Sequence, residues 1–312
     1  MGQKALLALA LVMGLALINA CGPLPPQDPF HLAEAKDSLN NGYYWYGRGC
    51  YKEAGRFFGE GLEFARLADS TPLIVMAQNT LGAAFLAQNR LTEAAEKLAE
   101  ALELSLTLPE KPELDSVLGN LGTLAFQAKR PADALDFWTK ATEAAPEPRK
   151  AIYLANLARL YQAENNAPLF ATTVTLALAA SQNSQTPIGA RADALALGAA
   201  LALDQGQTEV ALNYVNQALD LDRKAENMAG LAQNLEILGR AQKNLDQIPL
   251  AAQSLDRSFY LYVALKDKTG ANRLYETLKS THQEKGYPKD LKPYQTVLKN
   301  PKAFDPLDKL CP

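Results

Sequence analysis

"TLGAAFLAQNRLTEAAEKLAEAL", residues 80–102, decides the fold because the chain repeats it. "NLGTLAFQAKRPADALDFWTKAT" at 120–142 aligns with it without gaps, as does "NGYYWYGRGCYKEAGRFFGEGL" at 41–62. Gly42, Gly82 and Gly122 step by 40 residues, and so do Ala54, Ala94 and Ala134. "ILGRAQKNLDQIPLAAQSLDRSF" at 237–259 carries the same pattern with Gly239 and Ala251. Four residues after each alanine stands a large side chain: Phe58, Leu98, Trp138 or Leu255. Seven after it stands a small one: Gly61, Ala101, Ala141 or Ser258. A fixed period of this length marks an array of like supersecondary units. The abundance of Ala and Leu makes those units helical. A glycine inside a helix costs about 1 kcal/mol against Ala, so its recurrence at one register implies close approach of a neighbour. "NNG" at 40–42 reads in isolation as a turn, but the register places it within a helix.

Two further units are more divergent. "LANLARLYQAENNAPLFATTVTLALAA" at 154–180 supplies Ala158 and Tyr161 but puts Phe170 where a small residue is expected. In the next unit Gly206, Ala211, Val215 and Ala218 fit. The breaks fall at clusters of loop-forming residues: "DSTP", "LPEKPE", "APEP", "SQNSQTP" and "LDRKAEN". The pattern resembles the tetratricopeptide repeat, whose paired helices carry small residues at their contacts and a bulky knob between them. The 40-residue step is similar to the long-repeat variety in peptide-binding superhelices such as kinesin light chain. The resemblance implies an all-α, right-handed superhelix of about six helix hairpins over residues 31–266. A capping helix is expected at 267–285, because the last pair of a solenoid needs its apolar face covered. Residues 286–312 hold five prolines and five lysines and read as a tail, either disordered or laid on the superhelix with partial order.

The amino terminus, "MGQKALLALALVMGLALINAC", places one lysine before a run of 14 largely apolar residues, Ala5 to Ile18. A bilayer span needs about 20, so the run reads as a secretory signal over residues 1–20. Ile18-Asn19-Ala20-Cys21 resembles the lipobox of bacterial lipoproteins, which implies cleavage before Cys21 and acylation at it. An ordinary secretory signal is the alternative. Residues 21–30 would then form a proline-rich tether, in which Gly22 to Pro29 could hold the first repeat about 25 Å from the lipid, at about 3.1 Å per residue. By the same resemblance Gly22 favours the outer membrane, facing the periplasm. Cys50 and Cys311 remain; an oxidising compartment permits a disulfide between them, and two free thiols are the alternative.

The formal charge of −3 excludes an overall basic nucleic-acid binder. Only two histidines are present, His31 and His282, and no metal-ligand, nucleophile-elbow or phosphate-loop motif occurs. The expectation is a protein without enzyme activity, cofactor or metal. In peptide-binding members of the resembled family, an Asn two residues before the small residue of the first helix bonds the ligand backbone. The residue just after the small one also faces the groove. That carries over to Asn40, Asn120 and Asn156, with Asn79 beside Thr80 in the second repeat, and to Tyr43, Arg159 and Arg240. An amide offers donor and acceptor together and so pairs with any peptide unit. These residues are the candidate groove, for an extended segment with apolar anchors and an acidic group to meet the arginines; interhelical bonding is the alternative role. The implied function is a membrane-anchored scaffold binding a protein segment in envelope assembly. The alternative is an accessory lipoprotein of a peptidoglycan enzyme, secretion or transport system.

Overall fold

The computed structural model describes residues 28–283, 291–300 and 311. The signal, Cys21 and most of the tether lie outside the described residues. The described residues form fourteen helices. Six antiparallel pairs follow one another: α1 (Phe30–Gly47) with α2 (Tyr51–Leu67), and α3 (Thr71–Ala87) with α4 (Leu91–Thr107). Then come α5 (Leu114–Gln127) with α6 (Pro131–Ala144), and α7 (Glu147–Ala163) with α8 (Ala167–Ala180). The last pairs are α9 (Ile188–Asp204) with α10 (Thr208–Lys224), and α11 (Met228–Asn244) with α12 (Ile248–Ala264). α13 (Lys268–Gln283) packs on α12, and α14 (Lys292–Lys299) packs on α13. The first helices of successive pairs touch one another, so α1, α3, α5, α7, α9 and α11 line the inside of a right-handed superhelix. Among the described residues no helix is long and apolar enough to cross a membrane.

The recurrent glycine is a notch for the recurrent knob. A methyl group on Gly42 would lie 2.3 Å from the Phe58 ring, one on Gly82 2.8 Å from Leu98, and one on Gly122 2.5 Å from Trp138. Gly239 stands in the same relation to Leu255, at 2.6 Å. Each knob also reaches the next pair: Phe58 clusters with Leu81, Leu98 with Val117 and Leu121, and Trp138 with Leu157 and Leu160. Where the notch residue is alanine, at Ala158 and Ala199, the knob shrinks to a fully buried valine, Val174 and Val215. A larger notch residue is thus met by a smaller knob, as close packing requires. Phe170 fits because Ala155 and Ala158 stand opposite it in the same cluster.

Within every pair the turn has one geometry: a helix cap, one residue at positive φ, and the first residue before the next helix. Gly49 and Gly206 occupy the positive-φ position, but so do Asn89, Lys129, Asn165 and Asp246. The closing bond spans five residues, as in Arg90 N–H to Phe85 O at 2.9 Å and Arg130 N–H to Ala125 O at 2.8 Å. This satisfies carbonyls that a helix end leaves orphaned. Two turns between pairs, at Asp69 and Glu226, and the turn before α13, at Lys266, repeat it.

The superhelix meets itself after one turn. Arg48, in the α1–α2 turn, pairs with Glu226 in the α10–α11 turn. Cys50, which precedes α2, is bonded to Cys311, with Cα atoms 5.5 Å apart. The Asp267 charge, in the α12–α13 turn, also reaches the Tyr51 hydroxyl and adds to the upward shift that burial gives it. The segment read as a tail includes α14, whose Tyr294 is 1% exposed and meets Phe259 edge-on at 5.1 Å. The Tyr294 hydroxyl donates to Asp256 Oδ1 at 2.5 Å.

Candidate functional site

Because helical side chains recur every 3.6 residues, positions −2 and +1 about each notch share the concave face with position −6. In the first four pairs these positions surround a cavity of about 280 Å³. Tyr43 and Tyr46 enter it from α1, Asn79, Thr80 and Ala83 from α3, Ser116, Asn120 and Thr123 from α5, and Tyr153 and Asn156 from α7. Four of the seven residues expected from sequence therefore meet here: Tyr43, Asn79, Asn120 and Asn156. Asn40 lies exposed on α1, outside the cavity lining. Arg159 and Arg240 lie further along the superhelix, each engaged by this chain's own acids.

Asn120 Nδ2 donates to Asn79 Oδ1 at 2.8 Å, which leaves each amide its other group. Arg159 donates to Asn156 Oδ1 at 3.3 Å and to Asp193 Oδ1 at 2.7 Å. Arg240 faces Asp204 at 3.7 Å. Glu236 on α11 receives two bonds from Arg273 on α13, at 3.0 and 2.8 Å. The arginines expected to meet an acidic ligand are thus already neutralised.

Sequence reasoning missed a second set of residues on this wall. Tyr153 donates to Asp115 Oδ2 at 2.9 Å, and Arg149 to Asp115 Oδ1 at 2.5 Å. Glu113, which read as part of the "LPEKPE" loop, lines the cavity at the entrance to α5. The available signal was Gly119, a second glycine one turn before Gly122. A methyl there would lie 2.4 Å from the Tyr153 ring, and its carbonyl accepts from Trp138 Nε1 at 2.9 Å. Tyr43 sits edge-on to Phe58, with centroids 5.4 Å apart. Enclosure by the groove pushes its hydroxyl up to about 12, the Glu113 charge adding and Arg149 opposing.

One buried acid lies behind the later pairs. Asp222 is 1% exposed and accepts from Asn227 and Asn234 side chains at 2.8 and 2.6 Å. Burial raises its pKa from 3.8 to about 6, Asp193 adding to the rise and the two amides opposing it. Between those values the folded state keeps a proton that the unfolded chain releases. Its favourable contribution is therefore full below pH 3.8 and is lost as pH rises through 6. Asp222→Asn is expected to stabilise the protein at pH 7 by up to about 3 kcal/mol, at 1.36 kcal/mol per unit, and to leave stability at pH 4 little changed. Urea midpoints of both proteins across pH 4–7 check this; a difference that does not vary with pH would contradict it.

A tetratricopeptide-repeat family model matches residues 77–147, the stretch holding Asn79, Asn120 and most of the cavity's α3 and α5 wall. Among curated proteins none matches. Among solved structures, a Rap protein complexed with Competence and Sporulation Factor is 16% identical, with a TM-score of 0.60. That match covers 87% of this chain and 77% of the other. The Cut9–Hcn1 hetero-tetramer of the APC/C is 13% identical, with a TM-score of 0.59 over 90% of this chain and 56% of that one. These likenesses concern the fold.

Proposed function

We propose that this chain, a tetratricopeptide-repeat protein by its fold and by the match over residues 77–147, binds an extended segment of a partner protein along its concave face. Solenoids of this kind present extended concave binding surfaces, and the fold is that of a protein–protein interaction scaffold. The observation that carries the proposal is the gathering of Asn79, Asn120, Asn156 and Tyr43, from four successive pairs, around one cavity. Amides in that arrangement pair with peptide units whatever the side chains. The groove's charges are largely spent on one another, which suits recognition of backbone rather than capture of an acidic group. The chain acts in this reading as a binding module without catalysis of its own.

The setting we propose is the bacterial envelope, with the protein held at a membrane by acylated Cys21 and facing the periplasm. Support comes from the lipobox-like "INAC" and from the Cys50–Cys311 bond, since disulfides persist in oxidising compartments. Substituting Asn120→Ala together with Asn156→Ala should weaken partner binding about tenfold or more, at roughly 0.5–1.5 kcal/mol per backbone bond, and leave the fold intact. Pull-down of the partner with matched circular dichroism checks it; unchanged binding would rule out the groove.

A further inference from the structure

The cavity wall carries one carboxylate more than its own cation neutralises. Arg149 sits between two acids, 2.5 Å from Asp115 and 3.6 Å from Glu113. Asp115 is the better served, since it also accepts from the Tyr153 hydroxyl and is 3% exposed. Glu113 keeps only the longer contact and lines the cavity with Tyr43, Tyr46 and Tyr153. Further along, Arg159 is balanced by Asp193, Arg240 by Asp204, and Arg273 by Glu236. Among the described acids lining this cavity, Glu113 is therefore the less closely paired, and it stands beside aromatic rings.

Resting on the groove reading above, we infer that this corner is a subsite for a basic side chain, arginine or lysine, of the bound segment. Glu113 is its counter-charge, and Tyr43 supplies a ring face for a cation–π contact. Tyr43 suits that role because the residue is 48% exposed yet its ring is braced edge-on against Phe58. Cations over aromatic faces gain most where water is partly excluded, as in a cavity whose wall includes Tyr43. Asn79, Asn120 and Asn156 fix the backbone while Glu113 sets the register by selecting which residue stands over Tyr43. An acidic residue at that position would face the like charge of Glu113, so the subsite also excludes.

The test is an array of random octapeptides, acetylated and amidated at their ends so that only side chains carry charge, probed with the full chain. Captured sequences should be enriched in Arg or Lys at one position, by about tenfold over Ala, the order expected for one desolvated cation contact. Glu113→Gln and Tyr43→Leu, each verified as folded by circular dichroism, should each reduce that enrichment while still capturing neutral sequences. Acidic enrichment, no charge preference, or full basic enrichment retained in both variants would overturn the subsite alone. Capture that is absent altogether, or insensitive to Asn120→Ala with Asn156→Ala, would overturn the groove reading and the subsite with it.

Discussion

Reducing the Cys50–Cys311 bond is expected to lower stability by up to about 5.5 kcal/mol, the loop-closure value for a ring of this size. The two cysteines are 261 residues apart in sequence, so the ring they close contains almost the whole array. A solenoid otherwise holds itself by contacts between neighbouring repeats, and its stability is approximately a sum of local terms. The disulfide and the Arg48–Glu226 pair add contacts that join the first helix pair to the last ones. Without the bond, α1 and α2 keep their packing on α3 and the ion pair. Urea unfolding with and without dithiothreitol, and of Cys50→Ser with Cys311→Ser, should show an earlier midpoint in the absence of the bond. Amide exchange should speed up first in α1 and α2. Identical midpoints would mean that the bond closes nothing the packing has not already fixed.

Trp138→Ala should cost about 3–5 kcal/mol, the range for deleting a buried aromatic side chain. Trp138 is 3% exposed, fills the Gly122 notch, touches the next pair, and donates its indole N–H to Gly119 O. Removing it opens a void and leaves that carbonyl with one bond fewer. The opposite error, Gly122→Ala, should cost about 1–3 kcal/mol through overpacking, because the added methyl would lie 2.5 Å from a rigid ring. The protein itself indicates the repair: pairs four and five use alanine with valine at these positions. Gly122→Ala combined with Trp138→Val should therefore be less destabilising than the sum of the two single changes, by 0.5 kcal/mol or more as expected for residues in contact at about this range. Thermal or urea unfolding of the four proteins measures the coupling; strict additivity would contradict the notch-and-knob account.

The helix pairs were legible because their register repeats: notch, alanine, knob and small residue recur at fixed offsets in four units. The turns were legible in position but not in conformation, since Asn89, Lys129, Asn165 and Asp246 take a positive φ that sequence alone assigns to glycine. α14 was hidden because an eight-residue helix with a proline in its first turn has no periodicity long enough to see, although Tyr294, Val297 and Leu298 anchor it on the core. The disulfide depends on the superhelix completing a turn, which no local pattern encodes. In the groove, the amides could be named from repeat register. The acids that neutralise Arg159 and Arg240 come from α9, whose concave positions fit the repeat pattern least. Glu113 and Tyr153 contribute through contacts between pairs three and four, which depend on how successive pairs pack and not on the register within one.

The most direct test of the concave groove is site-specific photo-crosslinking in cells that make the natural partners. A benzophenone side chain would replace Thr123, which lines the cavity, or Leu135, which is exposed on α6. The account predicts a discrete crosslinked partner from position 123, none from position 135, and loss of the first when Asn120→Ala and Asn156→Ala are added. Crosslinking from position 135 but not from 123, or a product at 123 indifferent to the asparagines, would contradict it.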